Sequence, residues 1–144
     1  MTIREALPND FIELHAIRVA VKENILPDPG MITAADYELY MTQKGKGWVY
    51  ETEEGILGFS IVDLEDKSVW ALFVKPGHEG KSIGKTLHKV MLAWYFDQTK
   101  DTIWLSTAPK SRAEQFYRMQ GWKEVGVERN GDLKFELSEE DWKK

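Results

Sequence analysis

Apolar positions along the chain change period several times, and each change marks an element. Thr2 to Leu7 predicts a short strand. After Pro8-Asn9-Asp10, the residues Phe11, Leu14, Ile17, Val21 and Ile25 recur at three- and four-residue spacing, the signature of a helix with one buried stripe. Leu26-Pro27-Asp28-Pro29-Gly30 forbids helix and predicts an irregular loop. Thr33, with Asp36 three residues on, has the spacing of an N-terminal cap and predicts a second helix to about Gln43, ended by Gly45 and Gly47. Three strands follow, Trp48 to Thr52, Ile56 to Leu64 and Ser68 to Val74. The short turns Glu53-Glu54-Gly55 and Glu65-Asp66-Lys67 between them make an antiparallel meander.

The second half alternates helix and strand. Ile83, Leu87, Val90, Met91 and Trp94 form a helical stripe that belongs to the core. Thr102 to Thr107 predicts a strand and Lys110 to Gln120 a helix, with Pro109 just ahead of it and Gly121 just behind, each in its favoured place. Trp122 to Glu128 and Leu133 to Leu137 close the chain as a hairpin through Asn130-Gly131-Asp132, leaving a polar, peripheral tail from Ser138. This order implies an α/β (α+β) fold: a mixed, mostly antiparallel sheet flanked by helices. The strand–helix–strand unit around residues 69–107 should be its one parallel crossover.

Composition narrows the classes. At 144 residues, 1–144 suits a single domain with a real core, and 42% hydrophobic with 30% charged residues is an ordinary globular balance. Six tryptophans suggest a well-packed interior with aromatics left over to line a pocket. The absence of cysteine excludes disulfides, thiol catalysis and cysteine-bound zinc. His15, His78 and His88 show no metal-ligand spacing, so no metal is expected, and His78 and His88 are expected on loop and helix surfaces. A net charge of −5 argues against nucleic-acid binding. No apolar run is long enough to cross a membrane, and MTIREALPND has no secretory pattern, so the expectation is a cytoplasmic protein.

Candidate chemistry concentrates in Val69 to Phe96, where an apolar strand breaks at Pro76, passes a loop of glycine and lysine and enters a helix. Helix-initial amides lack intrahelical partners, and the helix dipole favours negative charge there. Gly80 and Gly84 let an anion approach the backbone, and Lys75, Lys81, Lys85 and Lys89 surround it. The segment therefore suits a ligand carrying phosphates. Gly84-Lys85-Thr86 mimics the end of a nucleotide-binding P-loop, but that motif needs glycine where this chain has Glu79.

Two motifs go further. Leu72-Phe73-Val74-Lys75-Pro76 leads to Gly80-Lys81-Ser82-Ile83-Gly84 and Leu87, and Ala113, Phe116-Tyr117 and Gly121-Trp122 follow at the expected separation. Together with the element order, these resemble the GNAT superfamily of acyl-CoA N-acyltransferases over nearly the whole chain. Three positions depart from the pattern. Glu79 replaces arginine or glutamine, Ser82 replaces the first motif glycine, and Lys110 stands where many relatives carry asparagine. A carboxylate near a pyrophosphate repels it, so Glu79 should point outward or weaken CoA binding. Ser82 should hold a backbone that avoids positive φ.

The resemblance implies acetyl-CoA as co-substrate, bound by Phe73, Val74, Gly80, Lys81, Ser82, Ile83, Gly84, Lys85 and Arg112. Its acetyl group would pass to a primary amine of a small molecule or peptide, by direct attack through a tetrahedral intermediate. The thioester would lie where the fourth and fifth strands splay. An amide of Phe73 or Val74 would hold the acyl oxygen, and Tyr117 would act as general acid toward the leaving thiolate. The proton of the attacking amine has several possible acceptors: Glu51, Glu53, Asp63 or a water relay. Acceptor recognition is expected from Arg18, Glu23, Asn24, Tyr37 and Tyr40, and the acids from Glu51 to Asp66 would suit a cationic amine. A homodimer is compatible with all of this. The other reading is a non-catalytic acyl-CoA-binding or regulatory module of the same fold.

Overall fold

The computed structural model describes residues 1–21 and 32–144. The chain runs through β1 (Thr2–Glu5), a 3-10 turn (Pro8–Asp10), α1 (Phe11–Ala20), α2 (Ala34–Glu38) and a π-helical turn (Leu39–Gln43). Next come β2 (Gly45–Thr52), β3 (Gly55–Asp63), β4 (Ser68–Val74), α3 (Ile83–Gln98) and β5 (Ile103–Thr107). The last elements are α4 (Arg112–Met119), β6 (Lys123–Val127), β7 (Leu133–Leu137) and α5 (Glu139–Trp142). All seven strands lie in one sheet, ordered β1-β2-β3-β4-β5-β7-β6. Every pairing is antiparallel except β4 with β5. The mixed sheet with one parallel crossover is the fold expected from the sequence.

Helices cover both faces. On one, α3 presents Ile83, Leu87, Met91, Leu92 and Tyr95 to Leu57, Leu105 and Phe135 of the sheet. On the other, Leu14 and Ile17 of α1, Tyr37 of α2 and Met41 cover Val49, Phe59, Ile61 and Ala71. Phe59 and Ile61 face one cluster and Val62 the other, the two-residue period of a strand buried on both sides. Each fully buried Leu, Met or Phe adds about 1.5–3 kcal/mol relative to exposure. Gly58 lets α3 lie close, since a Cβ there would stand 3.0 Å from Ile83 Cγ2 and from the Phe73 carbonyl oxygen.

Several boundaries differ from expectation. The first helix ends at Ala20, and Val21 is already extended (φ −69°, ψ 127°). Ile25 and the loop Leu26 to Gly30 lie outside the described residues. The cap of α2 forms as expected: Thr33 Oγ1 accepts from the Asp36 amide at 3.3 Å, and Asp36 Oδ2 accepts from the Thr33 amide at 2.8 Å. Gly45 and Gly47, however, do not terminate a helix; they belong to β2. A Cβ on Gly45 would fall 1.7 Å from the Val62 carbonyl oxygen, so the glycine serves close strand approach. The tail is not peripheral either. Ser138 Oγ accepts from the Asp141 amide to start α5, whose Trp142 stacks on Phe96 with ring centres 6.4 Å apart.

Candidate active site

The two parallel strands meet only near their beginnings, at Ser68 and Trp104, where the Trp104 amide donates to the Lys67 carbonyl at 3.0 Å. Towards Val74 they diverge. In β4 the amide of Lys75 donates to Leu57 of β3 at 2.8 Å, and Phe73 pairs with Phe59. Antiparallel backbone groups alternate sides, so the amides of Phe73 and Lys75 serve β3 while those of Leu72 and Val74 face the gap. The expectation for Phe73 is corrected in one respect: the residue lines the cleft, but its amide is committed to β3. Leu72, not singled out from the sequence, takes that backbone place.

The gap opens into a cleft of about 780 Å³ between the end of β4, the following loop, the start of α3 and α4. Phe73, Val74, Gly80, Ser82, Ile83, Gly84, Lys85, Arg112 and Tyr117 all line it. Lys81 does not; its Nζ sits at the exposed rim, 3.4 Å from His78 Nδ1. Val21, Gln115, Phe116 and Met119 line it as well. They are ordinary residues whose place depends on how elements far apart in sequence meet.

The loop gets its shape from three left-handed residues, Gly77 (φ 93°), Gly80 (φ 79°) and Ser82 (φ 65°). The expectation that Ser82 avoids positive φ is therefore wrong. Its left-handed backbone costs about 1–2 kcal/mol relative to glycine, and it starts α3 by accepting from Thr86 at its carbonyl. A Cβ on Gly80 would meet nothing within 4 Å, so that glycine is there for conformation. Gly84 brings the helix flush against the site: its Cβ would stand 3.5 Å from Val74 Cγ2 and 3.9 Å from Phe116 Cε1. Glu79 does not point away. Its Oε1 accepts from the Gly77 amide at 2.7 Å, it lines the cleft, and bonds from its own and the Gly77 amide hold its carboxyl below the usual range.

Tyr117 comes from α4, whose N-cap Ser111 accepts from the Glu114 amide at 3.1 Å and donates to the Ala108 carbonyl at 2.6 Å. Burial pushes its phenol well above the ordinary value, so it stays protonated throughout the neutral range. Behind it lies His88, which is not on a helix surface as expected but 1% exposed in the core. Trp122 Nε1–H donates to His88 Nε2 at 3.0 Å, and the rings of Phe116, Tyr117 and Trp142 enclose the imidazole. Burial pushes its pKa down to about 4, so it is neutral at pH 7.

None of the acids considered as a base lines the cleft. Glu51 pairs with Arg4 at 3.0 Å, and Asp63 accepts from the Asp66 amide at 2.9 Å with Lys44 at 3.7 Å. Of the residues expected to recognise an acceptor, Glu23 and Asn24 lie outside the described residues. Arg18, Tyr37 and Tyr40 gather on the α1–α2 face around Trp70. Tyr37 is fully buried, its hydroxyl 3.2 Å from His15 Nδ1, and burial pushes its phenol up to about 12. Among the described residues, no group of three His, Asp or Glu side chains could hold a metal ion, and no helix is long and apolar enough to cross a membrane.

This fold is shared by solved acetyltransferases. Residues 43–124 match the model of the acetyltransferase (GNAT) domain, more than half of the chain, which belongs to that family. Solved structures share the fold over nearly their full length. A GNAT-family acetyltransferase from Staphylococcus aureus Mu50 is 20% identical, with 95% of this chain and 98% of that one covered at a TM-score of 0.77. A ribosomal-protein-alanine N-acetyltransferase from Brucella melitensis is 18% identical (96% and 99% covered, TM-score 0.75). An aminoglycoside 6'-acetyltransferase type Ii is 19% identical (96% and 97% covered, TM-score 0.75). No curated protein matches the chain in sequence.

Proposed function

We propose that this protein is an acetyl-CoA-dependent N-acetyltransferase that acetylates a primary amine by direct attack. The observation that carries this is the coincidence of three features in one cleft: backbone amides of Leu72 and Val74 left over where β4 and β5 part, a loop turned by Gly77 and Gly80, and the protonated phenol of Tyr117. The residues present fit the co-substrate. The open space beside Gly80 and the amides at the start of α3 can meet a diphosphate. Lys85 and Arg112 line the same end, and Lys81 adds positive charge at the rim. A strand edge with unshared amides suits the amide-bearing pantetheine arm.

Acetyl-CoA supplies the activated acyl group as a thioester. The Val74 N–H is the donor we assign to the acyl oxygen, where negative charge develops as nitrogen attacks. The N–C bond forms, the C–S bond breaks, and one proton passes from nitrogen to sulfur. Tyr117 serves that transfer from the sulfur side, donating to the thiolate and recovering a proton from the nitrogen side through water. With Glu51 and Asp63 paired elsewhere and Glu53 not lining the cleft, we assign the base role to a water relay.

One observation supports the second reading, an acyl-CoA-binding module without turnover: the Glu79 carboxylate already occupies the Gly77 amide within the phosphate loop. Calorimetric titration with acetyl-CoA and with desulfo-CoA, followed by a thiol-release assay over a panel of amines, separates the two. We expect both nucleotides to bind and at least one amine class to release thiol. Binding without release for any amine would establish the module, and no binding would refute both.

A further inference from the structure

Arg18 lies in the last turn of α1 under an aromatic roof. Its guanidinium carbon lies 5.2 Å from the centre of the Trp70 ring and 5.0 Å from that of Phe73. Its Nε and Nη1 are shut off from solvent, and neither has a hydrogen-bond partner among the described residues. Among the described residues no carboxylate pairs with it, whereas Arg4 and Arg118 are each held by two. Desolvation lowers its pKa, countered only by the Tyr37 hydroxyl. Burying donors on a cation without acceptors is unfavourable, and an anion seated there would remove the deficit.

The surroundings are built to hold it. Trp70 is the extra residue of a bulge in β4, since Ile61 pairs with Ala71 and Val62 with Val69; bulges re-aim side chains beside sites. Tyr40 stacks on Trp70 at 4.4 Å, and Tyr37 meets it edge-on at 5.3 Å. Phe73 is the link to the chemistry, because its ring lies over Arg18 and the residue also lines the cleft.

We infer that Arg18 is a specificity-determining residue that binds a carboxylate on the acceptor, so that the substrate is a small amino acid or similar short amine bearing a carboxylate. This rests on the acyl-transfer reading above. An anion at Arg18 lies one aromatic ring from the end of β4, so carboxylate and amine must be close together in the same molecule. A planar carboxylate matches the planar guanidinium and slides between aromatic faces. Polycationic sugars and the α-amine of a protein chain, which has no neighbouring carboxylate, fit poorly. The earlier expectation of a cationic acceptor loses support as well, because none of the acids from Glu51 to Asp66 lines the cleft, and Glu51 and Asp63 are engaged with Arg4 and Lys44.

The test uses matched pairs of amines, glycine with glycinamide and β-alanine with β-alaninamide, assayed by thiol release with wild type, Arg18→Gln and Arg18→Lys. Taking the acid-to-amide ratio of kcat/KM within each protein cancels the intrinsic reactivity of each amine. We expect that ratio to fall at least tenfold in Arg18→Gln, through KM, and less in Arg18→Lys. Calorimetric binding of N-acetylglycine and its amide gives a readout independent of turnover, with the acid's affinity falling at least tenfold in Arg18→Gln. Thermal melts establish that the variants fold; if Arg18→Gln does not, Arg18→Lys carries the comparison. Transfer with an unchanged ratio overturns this inference and leaves the enzyme reading intact. Arg18-dependent binding of the acid without transfer to any amine upholds it and overturns the enzyme reading. Neither transfer nor Arg18-dependent binding overturns both.

Discussion

The two faces of β4 are built by different means. On the α3–α4 face a 16-residue helix packs its apolar stripe into the sheet, and the cleft at its start is shaped by Gly77, Gly80 and Gly84 and faced by the amides of Leu72 and Val74. On the α1–α2 face the cover is a 10-residue helix, a five-residue helix and a π-helical turn, and what they enclose is side chains: Arg18, Tyr37, Tyr40 and Trp70. Backbone recognition reads an extended arm and a diphosphate, features that any ligand of the class carries. Side-chain recognition reads one particular partner. If, as proposed, the first face holds CoA and the second the acceptor, the first can stay the same over a family in which the second differs.

Changes on each face should accordingly break different things. The largest effect is expected from Tyr117→Phe. Turnover should fall about 100-fold or more, with CoA affinity measured by calorimetry changed little, because only the proton donor is lost. Unchanged turnover across the pH range would remove Tyr117 from the chemistry and leave that face a binding site alone.

The second concerns the support beneath that face. His88 has a folded-state pKa near 4 against an ordinary 6.5. Between these values the unfolded chain binds the proton and the folded chain does not, so the contribution is whole above pH 6.5 and is lost as pH falls toward 4. The full loss is about 3 kcal/mol. Urea unfolding at pH 7, 6, 5 and 4.5 should show that slope. His88→Gln, which keeps an acceptor for Trp122 Nε1–H, should lose this part of it while the carboxylate contributions remain. An identical slope in the variant would mean that the imidazole is not the titrating group.

The smallest effect is expected from Glu79→Gln. The amide oxygen can still accept from Gly77, but the charge facing the phosphates is gone, so CoA should bind a few-fold tighter, with the gain shrinking as salt is raised. Weaker binding would show instead that the ionised carboxylate is what holds the loop in shape.

Much of this was legible beforehand. The period of Leu87, Met91 and Trp94, the turns between β2, β3 and β4, and the Thr33–Asp36 cap are local signals, set by neighbours within a few residues. The glycine loop and Tyr117 were visible because their spacing along the chain is itself a pattern, and the structure brings nearly all of those residues to one cleft. Local reasoning failed where a distant strand made the decision. Gly45 looked like a helix terminator until Val62 proved to be its neighbour. His88 looked exposed on a lysine-bearing helix until α4 and α5 closed over it.

By itself, then, the amino-acid sequence determined the elements, their order, the parallel crossover and the glycine loop between β4 and α3, since hydrophobic period, caps and turns act over short range. Only tertiary structure decided which amides β4 keeps for the cleft, which carboxylates are already paired, and that a half-buried arginine beneath Trp70 and Phe73 has two donor atoms without an acceptor among the described residues. Those outcomes depend on contacts between residues tens of positions apart, and no local pattern encodes whether a polar group has met its partner.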